Sequence, residues 1–195
     1  MEKKLIALTG GIGSGKSFAL KTLEENGFNT LSCDKIVSEL YETAKIKRLL
    51  KKLFPEAVSG LIQLKIDRKK ISELAFSSPE RHQELTAAVT PLVLDEVLKR
   101  AAASPSSVFV EVPLLFECGY QNKFDGVLVI IRDKAERIES VKLRSNLKEE
   151  EILARIAMQF DYEKEDLSSN MVIKNDGNAE NFKTSVLAAA KELVQ

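Results

Sequence analysis

The sequence predicts an α/β fold of three layers built on a mostly parallel five-stranded sheet. Two observations carry that prediction. Short apolar runs of strand length alternate with longer stretches of helical period. Residues 10–17 read Gly-Gly-Ile-Gly-Ser-Gly-Lys-Ser, which matches G-x-x-x-x-G-K-[ST] at every fixed position, and they lie between an apolar run and a helical one. Strand, glycine loop and helix in that order form a phosphate-binding loop.

The elements follow in chain order. Residues 4–9 are apolar and suit a buried strand; the next helix runs to Asn26-Gly27, where glycine is a natural stop. Residues 28–33 read as the second strand. Asp34 is a good N-cap for a helix over 34–52. Residues 60–66 form an extended or turn segment, and 67–76 and 79–103 read as helices, the second with a bend expected at Pro91. Residues 108–112 and 127–131 are buried strands. Residues 134–144 and 149–160 are charged helices, 171–174 is a last short strand, and 179–194 is a closing amphipathic helix. The helical section over 35–103 is far longer than a strand-to-strand connection needs, so it reads as a substrate-binding lobe.

The loop carries the chemistry. Its glycines let successive N–H groups point inward, and the helix start adds partial positive charge. Gly11, Ile12, Gly13, Ser14, Gly15, Lys16, Ser17 and Phe18 are the expected nucleotide contacts. Lys16 is placed to reach the β- and γ-phosphates, and the Ser17 hydroxyl to ligate Mg²⁺.

Lys+Arg and Asp+Glu both number 29 in 195 residues, so there is no basic excess of the kind nucleic-acid partners select. No apolar run approaches membrane-spanning length. Cys33 and Cys118 stand apart with no C-x-x-C pattern, which suits reduced thiols of a cytoplasmic protein. The first apolar run is too short for a signal peptide.

A GTPase would carry Asn-Lys-x-Asp, and residues 174–177, Lys-Asn-Asp-Gly, lack that order. A motor ATPase would end an apolar strand in Asp or Asp-Glu, whereas Glu111 reads as a lone mid-strand glutamate before Val112-Pro113. Small size and a helical insertion favour a small-metabolite kinase. Asp34, at the carboxyl end of the second strand, suits either a helix cap or a base accepting the acceptor hydroxyl's proton.

These residues resemble the dephospho-CoA kinase family along nearly the whole chain. Residues 8–17 match its loop, 112–117 (Val-Pro-Leu-Leu-Phe-Glu) match its signature, and 66–68 (Ile-Asp-Arg) resemble its Leu-Asp-Arg. Arg144, Arg155 and Gln159 fall at its lid positions, and Asn175-Asp176-Gly177 resembles its closing Asn-x-Gly. The resemblance implies ATP and Mg²⁺, with the ribose 3′-hydroxyl of dephospho-CoA as acceptor and Asp34 as general base. It implies nucleotide contacts at Asn175 and Gly177, acceptor contacts at Asp34, Pro113, Leu114, Leu115 and Glu117, and a phosphate-facing role for Arg144. It divides the chain into a core (1–34, 104–140, 166–195), a helical CoA lobe (35–103) and a lid (141–165).

Four departures stand out. Ser32 and Cys33 replace the first two residues of the family's Asp-Ala-Asp, Thr90 stands before Pro91 where the family has His, and Ser140 occupies an arginine position. Arg137, one turn before Ser140, is expected to supply the missing cation. Two other readings stay open: another small-molecule kinase acting on nucleosides or nucleotides, and a weakly active nucleotide-binding relic. Oligomeric state is not legible.

Overall fold

The computed structural model describes residues 2–61, 63–145 and 147–195. In chain order these form β1 (Leu5–Gly10), α1 (Lys16–Glu25), β2 (Asn29–Ser32), α2 (Cys33–Leu40), α3 (Ala44–Leu53), β3 (Val58–Ser59), β4 (Lys65–Ile66), α4 (Arg68–Ala75) and α5 (Pro79–Ala103). Then come β5 (Val108–Glu111), β6 (Gly126–Ile131), α6 (Lys134–Arg144), α7 (Glu149–Ala157), β7 (Met171–Lys174) and α8 (Ala179–Val194). They divide into two compact units, one holding the chain up to Ser32 together with Ala101–Gln195, the other Cys33–Arg100.

The first unit is built on a five-stranded sheet of order β2-β5-β1-β6-β7, in which every neighbouring pair is parallel. Successive side chains point to opposite faces of a strand, and the sequence uses both. Ile6, Leu8, Leu128 and Ile130 pack with Leu20 and Leu23 of α1 and Phe182, Val186 and Ala190 of α8. The alternate residues Ala7, Val127 and Val129 pack with Leu115 and Tyr162 on the other face. Both faces are covered, so the strands read as continuous apolar runs.

The second unit is mostly helical, with β3 and β4 paired antiparallel. One helix was expected over 34–52; the structure has two. Thr43 explains the break. Its hydroxyl accepts from the Ile46 N–H as the cap of α3 and donates to the Leu40 carbonyl, so a single residue closes one helix and opens the next. Asp67 caps α4 in the same way through the Lys70 N–H. Pro91 does not end α5, which continues from Pro79 to Ala103.

Two further boundaries differ from expectation. The strand expected over 108–112 stops at Glu111, so Glu111 is at the strand's end rather than its middle. Pro113 restricts the residue before it and lacks a ladder donor, which accounts for the stop. The helix expected over 149–160 ends at Ala157, because Gln159, Phe160 and Tyr162 are committed to tertiary hydrogen bonds instead.

Tyr162 is one of those residues. The Thr9 hydroxyl donates its single proton to the Val112 carbonyl at 2.8 Å, so Tyr162 is the donor in the 3.3 Å Thr9–Tyr162 contact. Burial pushes the Tyr162 phenol up to about 12. A phenol raised above its unfolded value of 10.0 contributes stability that is present below pH 10 and lost as pH climbs towards 12. Across that window the parent protein should lose stability faster than Tyr162→Phe, by about 1.4 kcal/mol per pH unit at the steepest. Urea unfolding of both proteins at stepped pH checks this, and parallel curves would refute it.

Candidate active site around the phosphate loop

The loop joins the end of β1 to α1. Gly15 is the N-cap of α1 with φ +108°, and no side chain caps the helix. No acidic residue lies in its first turn either. The helix start therefore keeps its N–H groups and partial positive charge for an anion. A Cβ at Gly15 would lie 2.6 Å from Asn175 Nδ2, so conformation and space both require glycine there. The Lys16 ammonium lies over the loop, 2.7 Å from the Gly10 carbonyl oxygen and 3.0 Å from that of Gly11. The Ser14 hydroxyl is buried with no hydrogen-bond partner among the described residues.

Beside the loop stands a carboxylate that the sequence reading set aside. Glu111, 5% exposed, ends β5 next to β1. The Ser17 hydroxyl donates to its Oε1 at 3.1 Å, and the Ser32 hydroxyl donates to its Oε2 at 3.3 Å. Ser17 and Glu111 bring two hard oxygen donors together at the start of α1, a combination suited to Mg²⁺. No group of three or more His, Cys, Asp or Glu side chains suited to a metal exists among the described residues, so any cation here relies on hydroxyl, phosphate and water oxygens as well. The available signal was Pro113: it ends the strand and moves Glu111 to the carboxyl edge, where ligands bind.

The outer side of the loop is gripped by three side chains. Arg137, 6% exposed, donates from Nε to the Ile12 carbonyl at 3.0 Å, and a Cβ at Gly11 would lie 2.7 Å from its guanidinium. Burial pushes the Arg137 guanidinium down, while Glu163, Tyr162 and Asp161 pull it up; arginine stays charged regardless. The expectation gave Arg137 to a transferring phosphate, and the structure gives its Nε a backbone partner in the loop. Gln159 accepts from the Ile12 N–H at 2.8 Å. Asn175 donates to the Ser14 carbonyl at 2.9 Å and accepts from the Gly177 N–H at 3.1 Å. Asn175 thus ties the β7–α8 turn to the loop, and both ends of its side chain are engaged.

The remaining expected site residues are distributed more widely. Phe18 is 43% exposed and stacks on Phe182. Leu115 is fully buried in the core, while Pro113 and Leu114 are half-buried. Glu117 accepts from the Phe160 N–H at 2.8 Å, and Phe116 stacks on Phe160, so the Val-Pro-Leu-Leu-Phe-Glu stretch anchors residues 159–162. Arg144 is exposed in the last turn of α6. Asp34 is exposed as the second residue of α2, directly after β2 in the chain; the helix begins at Cys33, so Asp34 lies in its first turn rather than at the expected N-cap. Ser140 accepts from Arg132 Nη1 at 2.6 Å, and Arg132 is a residue the sequence reading did not single out.

Among the described residues no helix is long and apolar enough to cross a membrane.

Comparison with known proteins was made against this geometry. The sequence model of the dephospho-CoA kinase family matches residues 4–181. A dephospho-CoA kinase of Thermus thermophilus is 38% identical over 192 residues, covering 97% of this chain and 91% of the relative. A crystal structure from Thermus thermophilus superposes with a TM-score of 0.83 at 34% identity, covering all of both chains. A dephospho-CoA kinase from Campylobacter jejuni gives a TM-score of 0.68 at 25% identity, over 99% of this chain and 98% of that one. The chain belongs to the dephospho-CoA kinase family.

Proposed function

We infer that this chain transfers the γ-phosphoryl group of ATP to the ribose 3′-hydroxyl of dephospho-CoA, giving coenzyme A and ADP. The single observation that carries the reading is a complete phosphate loop, with Ser17 held on a buried Glu111, in a chain of this family. Phosphoryl transfer asks a protein chiefly for positioning and for charge opposite the phosphate oxygens. The loop N–H groups, the α1 start and Lys16 supply those for the β- and γ-phosphates. Ser17 and Glu111 are the residues that would hold Mg²⁺, which when bound neutralises charge on the same phosphates.

Asp34 is the proposed base. Its exposed carboxylate takes the proton of the acceptor hydroxyl as that oxygen bonds to the γ-phosphorus and the bond to the ADP oxygen breaks. Arg144 is proposed to pair with the transferring group from the lid, residues 141–165. Arg137 holds the loop that grips the phosphates and so acts as a positioning residue. Residues 33–100 are proposed to bind the acceptor. That unit carries a cavity of about 450 Å³ whose lining includes Lys47, Arg48 and Lys65, with Glu42 paired to Lys47 at 3.1 Å; the cationic excess suits the acceptor's phosphates. The cytoplasm is the proposed compartment, in keeping with two cysteines that lie far apart in the sequence and outside any C-x-x-C pattern.

The reading predicts ADP release from Mg-ATP that depends on dephospho-CoA, measured in a coupled assay. Transfer to a nucleoside monophosphate but not to dephospho-CoA would overturn it. Asp34→Asn keeps the shape of the side chain in the first turn of α2 but cannot take a proton. It should retain ATP affinity and thermal stability while kcat falls by about two orders of magnitude or more. Unchanged kcat would remove Asp34 from the proton transfer. Glu111→Gln tests the cation site by calorimetry. The parent should bind Mg-ATP more tightly than metal-free ATP, and the variant should lose most of that difference.

A further inference from the structure

Arg132 lies one residue beyond the carboxyl end of β6. Two of its nitrogens are pinned. Nε donates to Glu136 Oε2 at 3.2 Å and Nη1 donates to Ser140 Oγ at 2.6 Å, both on α6. The guanidinium is planar, so two anchors in its plane fix the orientation of its faces. Its third nitrogen, Nη2, is turned towards the β7–α8 turn: a Cβ at Gly177 would lie 4.0 Å from it. Gly177 has φ +87° and carries no side chain, and the other atom near that position is Glu136 Oε1 at 3.9 Å, the carboxylate that already holds Arg132. That turn is itself fastened to the phosphate loop by Asn175 and Ser14. Arg132 also lines a cavity of about 330 Å³ shared with Gly11 and Ser14 of the loop.

The sheet order separates two sides of this site. Glu111, which holds Ser17, ends β5 on one side of β1, and Arg132 and Gly177 follow β6 and β7 on the other. A nucleotide whose phosphates lie in the loop therefore has its base towards the β6–β7 side. The charge of Arg132 is offset by Glu136, which weakens its call on an anion and leaves a flat, cationic face suited to a neutral aromatic ring.

We propose that Arg132 is the base platform of the ATP site, with its guanidinium, fixed by Glu136 and Ser140, stacking on the adenine. The inference rests on ATP being the phosphate donor. It assigns Ser140 a purpose of its own: a short hydroxyl that accepts from Arg132 and sets the plane.

Calorimetry on the full chain tests this with two probes, the non-hydrolysable analogue adenylyl imidodiphosphate and inorganic tripolyphosphate, which has no base. Arg132→Ala should weaken the analogue about tenfold, the scale of one stacked base, and leave tripolyphosphate within about twofold. Arg132→Lys keeps the charge but not the plane, and should lose as much as the alanine variant. It also serves if the alanine variant folds poorly. Ser140→Ala, which frees one anchor, should show a smaller loss confined to the analogue. Equal losses for both probes would make Arg132 a phosphate contact or a structural support, and unchanged analogue binding would remove it from the site. Either result overturns the platform alone. A parent protein that binds no analogue overturns the platform and the kinase reading together.

Discussion

The phosphate loop is a backbone feature with little side-chain mass of its own, and the site depends on its being clamped from outside. Arg137 from α6 and Gln159 after α7 hold the two polar groups of the Ile12 backbone, and Asn175 after β7 holds the Ser14 carbonyl. Each clamp comes from a different element, so the loop's shape is set only when α6, the segment after α7 and the β7 edge are all in place. The aromatic group Phe116, Phe160 and Tyr162 extends the clamp to the end of β5 and the strand that feeds the loop. Buried polar atoms here have named partners, which is what confers rigidity on a network in low dielectric. Ser14 Oγ is the exception.

Much of this was legible in the sequence, and the failures have physical causes. The two-faced apolar pattern of β1 and β6 announces a doubly covered parallel sheet, and β7 and α8 fall where period and capping put them. The loop residues are legible because their chemistry is local: eight consecutive residues make the anion cradle. The expected single helix over 34–52 fails at Thr43, where one hydroxyl's choice of backbone partners outweighs helical period. Glu111 was misjudged by one strand residue, and that residue decides whether a carboxylate is inside a sheet or at its functional edge.

Arg132 and Tyr162 show a different limit. Each acts on a group more than five residues away in sequence, and in isolation reads as an ordinary surface or core residue. Arg132 in particular sits in a charged stretch, Arg-Asp-Lys-Ala-Glu-Arg, whose plain reading is a solvated helix face. Only the packing of α6 on the strand ends turns that stretch into directed contacts. Leu115 marks the converse case. It belongs to a signature read as acceptor-binding, yet it is fully buried, because a motif can be distinctive for its packing as much as for its chemistry.

Two departures from the family pattern share one physical form. Ser32 stands where an aspartate is expected, and it donates to Glu111 from the end of the neighbouring strand β5. An aspartate there would set a second carboxylate against a buried one, and like charges at that range disfavour joint ionisation. Ser140 stands where an arginine is expected, and it accepts from Arg132 at the end of β6. In both places a short hydroxyl meets a long charged side chain arriving from a strand terminus. In this chain the charge next to each hydroxyl is rooted at or just beyond the carboxyl end of a strand, β5 for Glu111 and β6 for Arg132. Those strands flank β1, so both long side chains are rooted in the most constrained part of the sheet. The backbone beneath each charge is already fixed by the ladder, and the partner hydroxyl limits the side chain's remaining freedom, so the charge is held in place from both ends.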